Sequence, residues 1–377
     1  MHASLGQLRD DPGILGDPAS NALPIVPVIL AGGGGARLWP LSNPRRPKPF
    51  LPLLDGLSTF RETLARAVLA PGVDMVLVVA NQAHRALIEA ETRTCAVPVH
   101  LVLEPAARDS AAAIAAAAQW LATRRPGVVA AFISADHHVP DQAAFAAALR
   151  RAADAAVEHR IVTLGLRPDG PSTAFGYIRP LPEGCAVARV GAFVEKPDRA
   201  TAERYRAAGY LWNSGNFICR PESLLAELDV HAPEITAIAR AAVADATEAP
   251  AATILADGFA NAPAISIDRA LMERTTQAAV LPADFQWSDI GSWRAVLAAS
   301  ARDGAGNSVE GDVHLQDCTG CLARAPGRVQ LAMIGLRDIA VVANQNGDLL
   351  VCDLAASEEI REVARRFQTW RSGAGEA

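Results

Sequence analysis

The fold is decided by the stretch IVPVILA at residues 25–31 and by the residues that follow it, Gly32-Gly33-Gly34-Gly35-Ala36-Arg37. A short, continuous apolar run is typical of a β-strand that is buried on both faces of a sheet. Glycines directly after such a strand let backbone N–H groups approach an anion closely, because no side chain intervenes. The stretch therefore predicts a buried strand that ends in an anion-binding loop.

Comparable apolar runs continue along the first half of the chain and alternate with stretches of helical character. The further predicted strands cover residues 75–80, 99–103, 128–133 and 161–166, and the predicted helices cover 59–69, 82–92, 109–123 and 143–158. Strands that alternate with helices predict a doubly wound, mostly parallel, Rossmann-like α/β sheet. Such sheets bind ligands beyond the carboxyl ends of their strands, so we expect the functional residues at that edge.

The pattern changes after Pro168, where short strand-like pieces alternate with helices. Beyond Asp303, brief apolar runs with Gly, Asp and Asn at their turns predict a small antiparallel β unit that ends in a helix. No repeat of fixed period is strong enough to indicate a solenoid. We expect three parts: a loose polar tail over residues 1–23, a main α/β domain over 24–302, and a β unit with a terminal helix over 303–377.

Composition narrows the class of protein. The chain has 377 residues, 50% of them hydrophobic, and a net charge of −6 without a basic stripe, which argues against nucleic-acid binding. No run approaches the ~18 apolar residues of a membrane span. The N-terminus lacks the features of a secretory signal, and six cysteines in so long a chain are not a disulfide framework. We therefore expect a cytoplasmic protein without a membrane partner.

Two cations accompany the glycine loop, Arg37 directly after it and Lys48 farther along. A Walker A loop would end in Gly-Lys-Ser/Thr, and a dinucleotide fingerprint would place a small residue at position 37, so neither motif matches. The mismatch at Arg37 also argues against a nicotinamide dehydrogenase. Glycine N–H groups with two fixed cations instead predict a site for a polyphosphate.

The longer segment from Val28 to Leu53, VILAGGGGARLWPLSNPRRPKPFLPL, resembles the signature of the sugar-1-phosphate nucleotidyltransferases. Within it, RLWPLS at residues 37–42 resembles the mannose-1-phosphate guanylyltransferase branch. Later stretches resemble the family's other motifs in the same order: EP at 104–105, RDS at 108–110, SADH at 134–137, Thr173 with GY at 176–177, FVEKP at 193–197, WNSGNF at 212–217, SID at 266–268 and WSDIGSW at 287–293. The resemblance covers residues 25–351, most of the chain.

The resemblance implies transfer of GMP from GTP to mannose 1-phosphate, with Mg²⁺ as cofactor, by in-line attack on the α-phosphorus. It implies that Asp136 and Asp289 bind the metal. By the same resemblance, the catalytic residues are Arg37, Lys48 and Lys196, the nucleotide-binding residues are Leu30, Gly32, Gly33, Gly34, Gly35, Arg108 and Asp109, and the sugar-binding residues are Gly176, Glu195, Asn213 and Gly215. Lys196 precedes Pro197 and is therefore expected to be extended.

Several alternatives stay open at this point. Taken alone, Asp136 is also interpreted as a turn acid and Asp289 as a helix N-cap; both in matched motifs favour a metal site. A catalytically silent regulatory homologue that binds a GDP-sugar, or the same chemistry on another sugar 1-phosphate, would show similar motifs. Asp109 stands where the family usually has Asn, and Ala36 where it often has a hydroxyl residue. The sequence also leaves a homo-oligomer open.

Other features favour structural interpretations. His137 and His138 are adjacent and point apart on an extended segment, so a metal site built on both is not expected. The pair Cys318 and Cys321 has no second pair to complete a zinc site. We interpret Trp287 and Trp293 as packing residues. No histidine follows His314, so a metal-binding isomerase unit of the kind some relatives carry is not expected.

Overall fold

A large mixed sheet forms the centre of the protein. The computed structural model describes residues 23–33, 35–54, 56–158, 160–182 and 184–373, with side chains described as far as Phe367. The strands of this sheet are β1 (Ile25–Leu30), β2 (Val76–Asn81), β3 (Val99–Glu104), β4 (Val129–Ser134), β5 (Ile161–Leu166), β6 (Tyr177–Pro180), β7 (Ala188–Val194), β8 (Leu211–Cys219), β9 (Thr247–Ala249), β10 (Ala252–Ile254) and β11 (Ala278–Ala283). They pair in the order β5-β11-β7-β6-β8-β4-β1-β2-β3-β10-β9.

The predicted fold class is confirmed around β1. This strand pairs in parallel with β2 on one side and β4 on the other, and β2 pairs in parallel with β3. The carboxyl ends of these four strands therefore lie at one edge. Beyond β4 the sheet becomes mixed, because β8 runs antiparallel to both β4 and β5. The site can thus draw residues from strands of both directions.

Helices cover both faces of the sheet. They are α1 (Thr59–Val68), α2 (Arg85–Thr92), α3 (Asp109–Arg124), α4 (Gln142–Ala156), α5 (Arg199–Ala207), α6 (Pro221–His231), α7 (Pro233–Ala244) and α8 (Trp293–Ala299). Side chains of β1 alternate between the faces: Val26 and Val28 pack in the core cluster of α3, α6 and α7, and Ile25 packs in the cluster of α4. The alanine-rich α3 is almost entirely buried because its small side chains allow close packing.

The C-terminal unit is a second, four-stranded sheet. It consists of β12 (Ser308–Gln316), β13 (Leu322–Ile334), β14 (Ile339–Ala343) and β15 (Leu349–Asp353), followed by helix α9 (Ile360–Gly373). The prediction of antiparallel pairing was wrong for its first three strands, which are parallel; only β14 and β15 are antiparallel. Ser308 lies opposite Leu322 and Val309 opposite Ala323, so the residue numbers rise together along both strands, as in a parallel pair.

This second sheet packs against the segment that follows the glycine loop. Leu38 and Trp293 share a core cluster with Leu322 and Val342. The ring of Phe367 in α9 stacks on that of Trp39, with centroids 5.0 Å apart. None of the helices in the described ranges is long and apolar enough to cross a membrane. The predicted tail lies outside the described residues except for Leu23.

Candidate functional site

The glycine loop turns back against Lys48 after β1 ends at Leu30. Gly33 and Gly35 both adopt left-handed backbone conformations, with φ of 92° and 61°. A Cβ on Gly35 would overlap the Cβ of Lys48, so only glycine fits there. Ser42 Oγ donates to the carbonyl oxygen of Gly35 at 2.7 Å and holds the turn. Gly32 has open space around its Cα, and Gly34 lies outside the described residues.

Lys48 joins the two predicted metal ligands. It lies in a short 3₁₀ turn, Lys48–Phe50, and its side chain is only 7% exposed. Its Nζ donates to Asp136 Oδ2 at 2.7 Å and also to the backbone carbonyl of Asp289. Three residues predicted from separate motifs therefore meet beside the glycine loop.

The Asp136 carboxylate is held in its charged form. It follows β4, and Ser134 Oγ donates to its Oδ1 at 2.5 Å. Burial opposes ionisation, but the charges of nearby groups, Lys48 foremost, and the hydrogen bonds from Lys48 and Ser134 together outweigh it and hold the pKa of Asp136 well below its usual range. Burial also lowers the pKa of the neighbouring His137, despite the nearby carboxylate. Asp136 thus presents a carboxylate beside a neutral imidazole.

Asp289 is not a helix cap. Ser292 caps α8, because its Oγ accepts from the backbone N–H of Ala295. The Asp289 carboxylate accepts only from the backbone N–H of Gly291, at 3.3 Å, among the bonds found in the described ranges. No group of three His, Cys, Asp or Glu side chains in those ranges could hold a metal alone. Two carboxylates suit Mg²⁺, which usually takes its remaining ligands from phosphates and water.

The four predicted sugar-binding residues lie together. A Cβ on Gly176 would lie 2.7 Å from Glu195 Oε2 and 3.4 Å from Asn213 Cβ. Asn213 donates from its backbone N–H to the Gly176 carbonyl at 2.8 Å, and its Oδ1 accepts from the N–H of Gly215 at 3.1 Å. Its Nδ2 donates to Asp268 Oδ1 at 2.9 Å. These bonds fix the orientation of the Asn213 side-chain amide between Gly215 and Asp268.

Lys196 departs from its predicted conformation. Its φ is 47°, in the left-handed region, whereas an extended backbone was expected before Pro197. The chain turns sharply here between β7, which ends at Val194, and α5, whose N-terminus is capped by Asp198. Lys196 makes that turn. Its Nζ pairs with Glu195 Oε1, so a cation and a carboxylate face the same region.

Arg108 and Asp109, from the second nucleotide motif, are directed away from Lys48 and Asp136. Arg108 Nε donates to the carbonyl oxygen of Ala260, so its guanidinium is turned toward the short turn Asp257–Asn261. Asp109 begins α3 with a φ of 61° and an exposed side chain, whose Oδ1 accepts from the N–H of Ser110 at 2.7 Å. Neither side chain contacts Lys48 or Asp136 among the bonds found in the described part of the chain.

Glu104 belongs to a motif already matched in the sequence, although it was not predicted there as a site residue. It ends β3, is 6% exposed, and its Oε1 is buried without a hydrogen-bond partner among the described residues. Burial raises the pKa of its carboxyl to about 7. A buried acid without a partner is costly, which is typical of a group that serves a ligand. An acid at the carboxyl end of a parallel strand was the signal available in the sequence.

Aromatic side chains line a cavity of about 730 Å³ that reaches Asp289. Phe175 stands edge-on to both Trp212 and Trp287, with ring centroids 4.9 and 5.0 Å apart. Trp287 therefore lines a cavity and is not only a packing residue. Trp293, by contrast, is fully buried and donates from Nε1 to the carbonyl oxygen of Trp39 at 3.1 Å, as expected of a packing residue.

Known proteins match this chain over most of its length. A family model described as nucleotidyl transferase matches residues 26–305. The xanthan biosynthesis protein XanB of Xanthomonas campestris pv. campestris (strain B100) is 40% identical over 350 residues, which cover 92% of this chain and 73% of that protein. A mannose-1-phosphate guanylyltransferase of Escherichia coli is 35% identical over 349 residues, which cover 90% and 73%.

A solved structure shows the same architecture. The crystal structure described as mannose-1-phosphate geranyltransferase from Thermus thermophilus superposes with a TM-score of 0.81 at 34% identity. It covers 91% of this chain and 99% of that one, so the likeness includes the C-terminal sheet.

Proposed function

The chain belongs to the nucleotidyl transferase family, and we propose that it transfers GMP from GTP to mannose 1-phosphate, giving GDP-mannose and pyrophosphate. The observation that carries the proposal is the contact of Lys48 with both Asp136 and Asp289 beside the glycine loop. The contact supports the proposal because it brings a cation to the Asp136 carboxylate and to the backbone of Asp289, the two residues proposed to bind the metal. A cytoplasmic location and the division of the chain at residues 302 and 303 belong to the same proposal.

The triphosphate would lie along the loop after β1. Backbone N–H groups of Gly32, Gly33 and Gly35 can face an anion without a side chain between them. Arg37 follows in the turn Ala36–Leu38 and adds a permanent positive charge. Lys48, which packs against Gly35, adds a second cation beside the loop. These groups supply the charge and alignment that phosphoryl transfer chiefly requires.

Glu104 supports guanine as the base. It stands at the same sheet edge as the glycine loop, two strands away from β1. In its ionised form Glu104 only accepts hydrogen bonds, and guanine presents two adjacent donors, its N1–H and its 2-amino group. Uracil and thymine present one donor between two acceptors, which a carboxylate would repel. Ionised Glu104 would therefore favour guanine over uracil and thymine.

The sugar phosphate would enter from the side of β8. Asn213 can offer the second hydrogen of its Nδ2 to a sugar hydroxyl, because its Oδ1 already accepts from Thr163 and Gly215, and Glu195 offers acceptors. Lys196 would hold the phosphate of mannose 1-phosphate. An oxygen of that phosphate would attack the α-phosphorus of GTP while the bond to the pyrophosphate leaving group breaks. Asp136 and Asp289 would hold Mg²⁺, which supplies charge neutralisation at the phosphates.

Pyrophosphate release tests the proposal directly. We would measure it with Mg²⁺ in a grid of four nucleoside triphosphates against mannose, glucose and heptose 1-phosphates. We expect strong activity only with GTP and mannose 1-phosphate, and its loss in Asp136→Asn. Activity with another pair would reject the proposed substrates. No activity in the whole grid, together with tight binding of GDP-mannose, would instead identify a regulatory homologue.

A further inference from the structure

Helix α1 holds the Asp136 segment on both sides of the carboxylate. Thr63 Oγ1 donates to the backbone carbonyl of Ser134, two residues before Asp136, at 3.5 Å. Glu62 Oε2 lies 3.0 Å from Nδ1 of His138, two residues after it. Ser58 caps the N-terminus of α1 and so stabilises its first turn.

The same histidine connects the two carboxylate segments. The backbone N–H of His138 donates to the carbonyl of Ser288 at 2.9 Å, and the N–H of Ser288 donates back to His138 at 3.0 Å. This isolated antiparallel bridge joins residues from distant parts of the chain. Ser288 directly precedes Asp289. The position of His138 therefore fixes the position of the backbone that leads into Asp289.

The Glu62–His138 contact is shielded from water. The side chains of Glu62 and His138 are only 12% and 14% exposed. One turn along α1, the fully buried Arg66 packs over the ring of Phe145 at 5.3 Å, and its charge interacts with Glu62 and Asp136. A shielded, charge-assisted contact holds its geometry more firmly than a solvated surface pair.

We propose that Glu62 and His138 are positioning residues that set the spacing of Asp136 and Asp289, and hence the affinity of the site for a divalent cation. The inference rests on the proposed metal site. Mg²⁺ demands near-ideal octahedral geometry, with oxygens at about 2.0–2.1 Å. A small drift of the Asp289 segment would therefore weaken Mg²⁺ more than a larger, more tolerant cation.

Four variants and one control test the proposal. Glu62→Ala and His138→Ala remove the contact. Glu62→Gln keeps an acceptor, and His138→Asn keeps a donor near the position of Nδ1. Both variants should therefore keep most of the contact and behave much like the parent protein. Glu91→Gln is the matched control, because Glu91 of α2 also contacts α1, through Arg61 at 3.1 Å and Ser58 at 2.9 Å, and its contacts in the described ranges do not include His138.

The first readout is the dependence of pyrophosphate release on metal concentration. We expect half-saturating Mg²⁺ to rise about tenfold in Glu62→Ala and His138→Ala, with near-normal turnover at saturating metal. The rise should be smaller with Mn²⁺, and absent in Glu91→Gln. Unchanged Mg²⁺ dependence in both alanine variants would overturn the proposal.

The second readout needs neither metal nor substrate. Hydrogen exchange at the amides of His138 and Ser288 reports the bridge itself, and we expect it to accelerate at least tenfold in the alanine variants only. Unchanged protection would overturn the proposal even if the substrates proposed above were wrong. If an alanine variant failed to fold, Glu62→Met and His138→Leu, which keep side-chain volume but cannot form the contact, would replace the alanine variants in the same two measurements, with the same expected results.

Discussion

Arg37 Nε lies 2.9 Å from Glu358 Oε2, so an acid just before α9 holds the arginine that follows the glycine loop. Both side chains are partly exposed, at 34% and 58%. An ion pair of this kind contributes at most about 1 kcal/mol. A triphosphate that binds Arg37 must therefore compete with a weak internal partner.

Removal of that partner should strengthen nucleotide binding. In Glu358→Gln we expect the KM for GTP to fall by up to about fivefold, which corresponds to about 1 kcal/mol, with kcat unchanged. The difference should shrink as salt is added, because exposed charges are screened. Steady-state kinetics at two ionic strengths would measure it, with Glu359→Gln as the control. An unchanged or higher KM at low salt would contradict the prediction.

Two glycines of the loop offer a matched comparison. Gly33 and Gly35 both have left-handed backbones, so alanine costs roughly 1–2 kcal/mol of strain at either. A Cβ on Gly33 would meet open space, whereas one on Gly35 would meet Lys48. We expect Gly35→Ala to lower kcat roughly 100-fold by displacing Lys48, and Gly33→Ala to act mainly on stability. Equal losses of kcat in the two variants would show that Lys48 is not the cause.

Glu104 should make stability depend on pH. Burial raises its pKa from 4.5 to about 7, so the folded state keeps a proton that the unfolded chain has already released. The free energy of unfolding therefore falls as pH rises across that interval. Glu104→Gln removes the titration and should be more stable than the parent at pH 8, by at most about 3 kcal/mol.

Urea denaturation at pH 8 and at pH 4.5 would measure this difference, which should vanish at the lower pH. The same variant should lose preference for GTP over other nucleotides, because an amide can donate as well as accept. A stability difference that is equal at both pH values would mean that burial does not control the Glu104 proton.

Asp268 should act on the sugar side alone. It accepts from Asn213 Nδ2, and burial with the nearby charge of Glu195 raises its pKa to about 6. Asp268→Ala should free the Asn213 amide and raise the KM for mannose 1-phosphate about tenfold, or about 1.4 kcal/mol. Asp268→Asn keeps an oxygen acceptor and should restore most of the affinity. A parallel rise in the KM for GTP would indicate general damage instead.

The parallel half of the sheet could be predicted because its strands are continuous apolar runs. Strand β8 shows why the remainder was harder. It begins at Leu211, but its buried positions include Asn213, Ser214 and Asn216, so no apolar run marks its first half. Parallel pairing in the C-terminal sheet depends on contacts between distant turns, and glycine and aspartate at those turns do not distinguish it from a hairpin.

The residues of the candidate site could be selected from sequence motifs. The contacts between them could not be predicted from the sequence. That Lys48 bonds both Asp136 and the Asp289 backbone depends on packing of segments far apart in sequence. The left-handed Lys196 lies in the turn between β7 and α5, and the local rule for a residue before proline failed there. Burial of Glu104 depends on tertiary packing around the end of β3, which the local sequence does not show.

The stacking of Trp39 on Phe367 has a consequence for how the protein is made. The tryptophan belongs to the segment that follows the glycine loop, and its ring partner lies in α9. During synthesis the nucleotide side of the sheet can assemble long before the ribosome has added Phe367. Until then Trp39 keeps one bare face, and Arg37 has no Glu358. A nascent chain would therefore meet GTP with its loop unbraced, and only the finished C-terminal segment would give the loop its mature environment.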